Sequence, residues 1–306
     1  MTADGNDQWA SFERTRLALF ATHGSEGRSR RIPDHTGRET YAIVRGDGPC
    51  PTVLVHGGVG NATEFVLVAG RLERPLVIPD RPGLGLTYPI DYRKVDFRED
   101  AAGWLLGLVE GLGVEKIDLI GGSMGGFFAM AFATSHPERV RRLILLGSPA
   151  GLFREFPLFL RLMGNPILGR LISRLKIRDP EMLRKRVFSG LVAHPERIPL
   201  DVLEVALVGM ALPGSALTNY TMMNAVTTLR GLRPQLLMQE DMARLEVPTL
   251  FVWGDKDRVA GSAIGEDLAP RMSDARLTVI QDAGHIPHLD QPEEVAAVVN
   301  RFLADP

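Results

Sequence analysis

The sequence predicts an α/β protein with a mainly parallel sheet, helices on both faces of that sheet, and an inserted helical cap. Short apolar segments alternate with helical segments along most of the 306-residue chain, and this alternation is typical of parallel strands joined by crossover helices. Several of the apolar segments end in glycine. One long interval without a strand pattern interrupts the alternation, and it predicts the cap.

The chain opens with a segment that is predicted to be a helix packed on the body of the protein. Over residues 6–22, Trp9, Phe12 and Phe20 fall on roughly one helical face. Residues 24–31 are polar and basic, and we expect a loop there. The first 27 residues are therefore predicted to be a helical extension that precedes the core.

Seven apolar segments are predicted to be strands, and helices are expected between them. A helix is expected over residues 96–112, with Asp96 as its N-cap and a stop at Gly111 or Gly113. Another is expected from the third glycine-ended strand through about Ser135. The predicted strands lie within residues 40–44, 52–58, 75–85, 116–122, 141–149, 247–255 and 275–285.

Residues 152–240 form the predicted cap, between core segments 28–151 and 241–306. This interval carries 12 Lys and Arg against 7 Asp and Glu, so it is basic while the rest of the chain is acidic. Residues 205–229 carry no charge, but Pro213 and Gly214 divide them. We expect two short helices there and no stable membrane insertion, because a spanning helix needs about 20 predominantly apolar residues.

Composition narrows the function classes. The net charge of −2 offers no general attraction to nucleic acid. Cys50 is the single cysteine, which excludes an intramolecular disulfide and fits a reducing compartment. The first residues show no basic segment followed by an apolar run, so no secretory signal is expected and we predict a cytoplasmic protein. The oligomeric state is not predicted.

The stretch around Ser123 matches the nucleophile-elbow pattern G-x-S-x-G. In this motif a sharp strand-to-helix turn lifts the serine above the sheet, so the residues two before and two after it must be small. Gly121 and Gly125 meet this demand. The flanking strand and helix patterns favour an elbow over a plain turn or a phosphate-binding loop. Gly122 is unusual, and we expect it to widen the space beside the serine.

A serine nucleophile needs a base and an acid that orients the base. His285 is the predicted base, because it follows the last predicted strand and because Gly284 allows its loop to approach closely. His288 is the alternative, although it is more easily explained as a residue that shapes the loop. Asp257 is the predicted acid, with Asp255 as the alternative. The other place for the acid is the end of the predicted strand before the one that leads to Asp257. Residues 145–151, at that place, include no carboxylate.

An oxyanion hole is predicted from the backbone N–H groups of Gly58 and Met124. Gly58 lies in a glycine-rich loop after a predicted strand, and Met124 directly follows the nucleophile. One such donor is typically worth about 10²–10³ in rate. His56, in the same loop, is expected to brace the loop by hydrogen bonding.

With these motifs in order, the chain resembles the α/β-hydrolase superfamily. The resemblance covers residues ~28–151 and ~241–306 and includes the Ser…Asp…His order of the three predicted catalytic residues. It implies an enzyme without cofactor or metal that acts on a small-molecule substrate, and an inserted helical cap. A serine nucleophile is unlike the aspartate of haloalkane dehalogenases and epoxide hydrolases.

The resemblance leaves the substrate open. We expect a carboxylic ester of a mainly apolar small molecule, since Met222, Met223 and Met238 could line an apolar pocket, although core packing also explains them. The alternative is hydrolysis of a C–C bond in a diketone-like ring-cleavage product. Enzymes of that kind tend to carry an aromatic residue after the histidine, where this chain has Ile286. A lyase, a cyclase or a ligand receptor is a third reading.

Overall fold

The centre of the molecule is a sheet whose two faces are covered by helices. The computed structural model describes residues 3–58, 60–173, 175 and 177–305. The sheet strands in this part are β1 (Arg28–Pro33), β2 (Glu39–Arg45), β3 (Thr52–Val55), β4 (Leu76–Pro79), β5 (Ile117–Gly122), β6 (Val140–Leu146), β9 (Thr249–Gly254) and β10 (Ala275–Ile280), while β7 (Thr227–Thr228) and β8 (Gly231–Leu232) form a separate hairpin.

Helices follow most of the strands, as the alternation predicts. The described helices are α1 (Ala3–Thr22), α2 (Val66–Ala69), α3 (Phe97–Leu112), α4 (Met124–Ser135), α5 (Leu158–Met163), α6 (Pro166–Ile172), α7 (Pro180–Arg186), α8 (Leu200–Met210), α9 (Ser215–Val226), α10 (Gln239–Ala243), α11 (Ala263–Leu268), α12 (Pro287–Asp290) and α13 (Pro292–Ala304). Asp96 caps α3 by accepting hydrogen bonds from the backbone N–H groups of Arg98 and Glu99, both at 3.0 Å.

The strand order places the carboxyl ends of the parallel strands side by side. The order across the sheet is β1-β2-β4-β3-β5-β6-β9-β10. The pairings from β4 to β10 are parallel, and the β1–β2 and β2–β4 pairings are antiparallel. The predicted mainly parallel α/β sheet is therefore confirmed. In such sheets the loops beyond the carboxyl ends of the strands form the functional site.

The prediction of a loop over residues 24–31 is wrong at its end, because β1 begins at Arg28. This strand pairs with β2 along its whole length, from Arg28 opposite Val44 to Pro33 opposite Glu39. Only Ile32 is buried among its six residues. An edge strand with one buried side chain carries almost no apolar alternation, and this is why the sequence pattern does not reveal it.

The central strands are buried on both faces, and their alternate side chains enter two different cores. Leu119 of β5 packs with α3 and α4, whereas its neighbour Ile120 packs with residues of α1, α2 and α13. Every residue of β5 is buried. Because successive side chains of a strand point to opposite faces, a strand covered on both sides reads as a continuous apolar run.

Helix α1 is part of the second core. Phe12 and Phe20 are at most 1% exposed, and the guanidinium of Arg16 between them is fully buried against Asp80, at 2.8 and 2.9 Å from its two carboxylate oxygens. The Arg16 guanidinium also lies over the rings of Phe12 and Tyr41. The first helix is therefore anchored to the loop that follows β4.

Between β6 and β9 the described part of the chain is mainly helical and forms α5–α10. The hairpin of β7 and β8 lies in this interval, where no strand is predicted; with two residues in each strand, it leaves no periodic signal. Helices α8 and α9 are the two short helices expected around Gly214, whose φ is 94°. Within the described residues no single helix is long and apolar enough to cross a membrane; α8 and α9 reach that measure only as a pair bent by 80°.

Candidate active site

Ser123 occupies a sharp turn between β5 and α4. Its φ of 50° and ψ of −113° are rare for a residue with a side chain. The turn closes because the neighbouring glycines lack side chains. A Cβ on Gly121 would lie 2.5 Å from the carbonyl oxygen of Gly125, and one on Gly125 would lie 2.0 Å from that of Val55. The steric demand predicted for the elbow is therefore met by these two glycines.

His285 reaches Ser123 from the loop after β10. Its Nε2 lies 2.8 Å from Ser123 Oγ, and the residue is 4% exposed. Gly284 allows this approach, since a Cβ there would lie 2.8 Å from the backbone of residues 191–193. The backbone N–H of Ile286 donates to the carbonyl of Leu191 at 3.1 Å. The helical insertion thus contacts the loop that carries His285.

Asp257 completes a line of three side chains. Its Oδ2 accepts from Nδ1–H of His285 at 3.0 Å, and the carboxylate is fully buried. Burial alone would raise the pKa of Asp257, but the hydrogen bonds and charge of His285, with the backbone N–H of Val259, hold that pKa below its usual value. The alternative acid, Asp255, is exposed and accepts from the backbone N–H of Ala283.

Ser148 also contacts His285, a contact that the sequence does not predict. Its Oγ lies 2.9 Å from Nδ1 of His285, and its backbone N–H donates to Oδ2 of Asp257 at 3.1 Å. Ser148 belongs to the loop after β6 that holds no carboxylate. A hydroxyl at this place gives the imidazole N–H a second acceptor beside the carboxylate.

The loop after β3 is held by the two buried side chains of His56 and Arg81. His56 accepts from the backbone N–H of Arg81 at 3.0 Å through Nε2, so Nδ1 carries the proton and donates to the carbonyl of Gly57 at 3.0 Å. Burial and the nearby Arg81 hold the pKa of His56 well below its ordinary value. His56 is thus a neutral brace of this loop, as expected.

Arg81 sets the direction of the peptide groups in the same loop. Its guanidinium donates to the carbonyls of Gly57 at 2.5 Å and Gly58 at 2.9 Å. In a trans peptide the N–H points away from the C=O, so the N–H of Gly58 is directed away from Arg81. Met124, the other predicted oxyanion donor, begins α4 beside Ser123.

A largely buried carboxylate, that of Glu64, is 10% exposed and lies next to the nucleophile turn. Both of its oxygens accept from the backbone N–H of Gly57, at 3.0 and 2.9 Å. His288 stacks on Phe65 with ring centroids 5.0 Å apart, and its Nε2 lies 3.5 Å from Glu64 Oε1. No sequence pattern predicts the position of Glu64, because it depends on contacts with residues distant in the chain.

The same carboxylate explains Gly122. A Cβ on Gly122 would lie 3.0 Å from Glu64 Oε1 and 3.6 Å from Cε1 of His288. The expectation that Gly122 leaves open space beside Ser123 is therefore wrong on this side, because those two side chains fill it. His288 does not approach Ser123 as a base would; it packs at 1% exposure behind the turn.

Among the described residues, no group of three or more His, Cys, Asp and Glu side chains is arranged to hold a metal ion. The chemistry available at these strand ends is that of a hydroxyl, an imidazole and a carboxylate in line. This set generates an oxygen nucleophile by proton transfer to the imidazole.

Comparisons with known proteins agree with this fold. A 2-hydroxymuconate semialdehyde hydrolase of Pseudomonas putida is 28% identical over 277 residues, which are 88% of this chain and 92% of that protein. Lipase 3 of a Moraxella species is 29% identical over 80% of this chain and 75% of its own. The naproxen esterase of Bacillus subtilis shares the fold, with a TM-score of 0.77, 22% identity and 99% of each chain covered.

The family comparison covers most of the chain. Residues 52–298 match the model of the alpha/beta hydrolase family. This range contains the loop after β3, the turn at Ser123 and the loops that carry Asp257 and His285. The chain belongs to the alpha/beta hydrolase family.

Proposed function

We propose that this protein is a serine hydrolase that cleaves a carboxylic ester of a mainly apolar small molecule. The observation that carries the proposal is the continuous line from Ser123 Oγ to His285 Nε2 at 2.8 Å and from His285 Nδ1 to Asp257 Oδ2 at 3.0 Å. A hydroxyl, an imidazole and a carboxylate in this order perform acyl transfer on several unrelated folds.

In the proposed mechanism His285 takes the proton of Ser123 as its Oγ attacks the ester carbonyl. The N–H groups of Gly58 and Met124 bind the oxyanion of the tetrahedral intermediate. His285 then gives its proton to the departing alkoxide, which leaves an acyl-enzyme on Ser123. A water molecule, deprotonated by His285, attacks the acyl carbonyl and releases the acid. Asp257 keeps the imidazole in the tautomer that accepts at Nε2.

The proposal of an apolar substrate is supported by the residues that flank the reacting groups. Met124 and Ile286 directly follow Ser123 and His285 in the chain, and they are 5% and 8% exposed. Met222, Met223 and Met238 lie in the larger hydrophobic core, so they support the proposal less than their sequence positions suggest.

A second candidate is hydrolysis of a C–C bond in a diketone-like ring-cleavage product. It is favoured by the similarity to a 2-hydroxymuconate semialdehyde hydrolase over 88% of this chain. The same serine, histidine and aspartate would carry out this C–C bond hydrolysis. Ile286, in place of an aromatic residue, favours the ester.

A fluorophosphonate probe tests the shared chemistry. We expect the native enzyme to be labelled at Ser123 and the Ser123→Ala variant to remain unlabelled. Ser148→Ala is the matched control, because it removes a hydroxyl that also contacts His285 and should leave labelling at Ser123. Failure of the native enzyme to label at Ser123 would overturn both candidates.

Substrate turnover separates the candidates. We expect p-nitrophenyl esters to be hydrolysed, with kcat/KM rising as the acyl chain lengthens from acetate to octanoate. If esters of every length fail and a 2-hydroxy-6-oxohexa-2,4-dienoate is cleaved, the second candidate replaces the first. Labelling at Ser123 without turnover of either class would favour a non-hydrolytic role.

A further inference from the structure

Helices α5 and α6 present a large apolar surface to solvent. We call it the α5–α6 face and define it by six side chains, five on the two helices and one, that of Leu175, shortly after α6. They are Leu158, Phe159, Ile167, Leu168, Leu171 and Leu175, and they are 60%, 57%, 80%, 41%, 61% and 67% exposed. Single exposed apolar side chains are common on protein surfaces, but six of them on and just after two helices that contact each other are typical of an interaction site.

The outward direction of these side chains is built into α6. The helix buries Gly169 and exposes Ile167, Leu168 and Leu171. A Cβ on Gly169 would lie 2.0 Å from the carbonyl oxygen of Met163. An ordinary surface helix buries its apolar residues and exposes its polar ones. Here the smallest residue faces the protein, so the larger apolar residues do not serve the core.

Helix α6 is also fixed to the body of the protein. The hydroxyl of Tyr220 on α9 donates to the carbonyl of Pro166 at 3.1 Å, and the amide of Asn224 donates to that of Gly164 at 2.9 Å. These bonds anchor both ends of the turn between α5 and α6. The apolar face is consequently held outward by tertiary contacts.

The stretch of sequence that carries this face is basic. From residue 156 to residue 178 the sequence contains five Lys and Arg and no Asp or Glu. Arg170 and Arg178 are exposed. Apolar side chains framed by cations match the boundary between acyl chains and anionic headgroups. A second copy of the chain fits less well, because a two-fold interface would bring this basic surface against itself.

We propose that the α5–α6 face docks the protein reversibly on an anionic lipid surface. The apolar side chains enter the headgroup region, and the arginines contact lipid phosphates. This inference does not depend on the bond that the enzyme cleaves. It places the helical insertion, which contacts the loop of His285, on the membrane side of the molecule.

Vesicle co-sedimentation with the full chain tests the proposal. The probes are vesicles of phosphatidylcholine and phosphatidylglycerol in a 3:1 ratio, and vesicles of phosphatidylcholine alone. We expect binding to the anionic vesicles to be at least tenfold tighter, and to weaken several-fold in 0.5 M NaCl because salt screens the arginines. Equal binding to both vesicles, or none to either, would overturn the proposal.

Two double variants test the two components of the face. Ile167→Ser with Leu171→Ser removes apolar area, and Arg170→Glu with Arg178→Glu reverses charge. We expect each to weaken anionic-vesicle binding at least tenfold, with unchanged circular dichroism. Leu200→Ser, which alters a leucine of similar exposure (57%) on α8, is the apolar control and should leave binding unchanged.

The charge control lies at the far edge of the sheet. Arg28→Glu with Arg31→Glu makes the same charge change on β1, where both arginines are more than 60% exposed. If this control weakens binding as much as the α5–α6 charge variant, net charge and not the face governs binding, and the proposal fails. It also fails if ultracentrifugation shows that the parent protein is a dimer and that the Ile167 and Leu171 double variant is a monomer, because a second copy then occupies the face.

Discussion

Replacing Asp257 by asparagine tests the proposed acid most directly, because its two carboxylate oxygens have different partners. Oδ1 accepts from the backbone N–H groups of Val259 at 2.8 Å and Ala260 at 3.3 Å. Oδ2 faces Nδ1–H of His285 and the N–H of Ser148. An asparagine cannot accept on both sides, and its amide oxygen is best placed at the Oδ1 position, against two backbone donors.

The NH2 group of the asparagine then faces His285. A neutral imidazole in that setting accepts at Nδ1 and carries its proton on Nε2. Nε2–H would point at the Ser123 hydroxyl and could no longer take its proton. The corresponding change in a serine protease lowers kcat about 10⁴-fold, which is about 5.5 kcal/mol at 1.36 kcal/mol per tenfold. We expect a loss of the same order here.

The assay is kcat for p-nitrophenyl butyrate together with the rate of fluorophosphonate labelling, on protein whose fold is checked by circular dichroism. Asp255→Asn is the matched control and should stay within about threefold of the parent, because this side chain is exposed and does not contact His285. Should Asp257→Asn retain kcat within threefold while Asp255→Asn loses it, Asp257 is not the acid.

We expect Ser148 to set the residual activity of the Asp257→Asn variant. Its hydroxyl lies 2.9 Å from Nδ1 of His285 and can accept a hydrogen bond from Nδ1–H when the carboxylate is absent, which leaves Nε2 able to take the proton of Ser123. We therefore expect Ser148→Ala to lower kcat only a few-fold in the parent and further in the Asp257→Asn background. Equal factors in both backgrounds would show that the two residues act independently on His285.

Four further substitutions probe the turn at Ser123, a partly buried acid and the first helix. Gly125→Ala should lower the free energy of unfolding by about 3 kcal/mol or more, because the new Cβ would lie 2.0 Å from a carbonyl oxygen of β3. Gly122→Ala should lower it by about 1 kcal/mol or less, because its Cβ would lie 3.0 Å from a side chain that can move. Urea unfolding that ranks the two variants in the reverse order would contradict this. Burial raises the pKa of Asp100 to about 6, partly opposed by a nearby arginine. The folded protein therefore favours the protonated acid, and the contribution of Asp100 to the free energy of unfolding is complete below pH 4 and is lost as the pH rises through 6. Asp100→Asn should accordingly raise the free energy of unfolding by about 2 kcal/mol at pH 8 and by little at pH 4, and a gain independent of pH would refute the assignment. Arg16→Met leaves Asp80 buried without its cation and should cost about 3–5 kcal/mol, which calorimetry or urea unfolding measures; a loss below 1 kcal/mol would show that the pair is dispensable.

The central strands and the serine turn were predictable because short-range sequence carries their physics. Strands buried on both faces appear as apolar runs, and the small residues around Ser123 follow from a local steric demand. Chain order then placed His285 and Asp257 at the same sheet edge. The structure brings those three side chains into hydrogen-bonding distance.

Features that depend on distant contacts were not predictable. Strand β1 has one buried side chain in six, so only its pairing with β2 defines it. Ser148 and Glu64 are ordinary polar residues in the sequence. The importance of Ser148 arises from its contact with His285, 137 residues away, and that of Glu64 from its hydrogen bond with the backbone N–H of Gly57. A single sequence contains periodicity but no record of such contacts.

The buried pair of Arg16 and Asp80 has a consequence for protein engineering. Asp80 directly precedes Arg81, whose guanidinium holds the carbonyls of Gly57 and Gly58. A chimera whose first 27 residues come from a family member without an arginine at the position of Arg16 would leave Asp80 buried without its cation. We expect such a graft to displace the loop after β4 and, through Arg81, the peptide groups of Gly57 and Gly58, unless Asp80 is exchanged with it. The opening helix and the loop after β4 are therefore one module for recombination, although about 60 residues separate them in the chain.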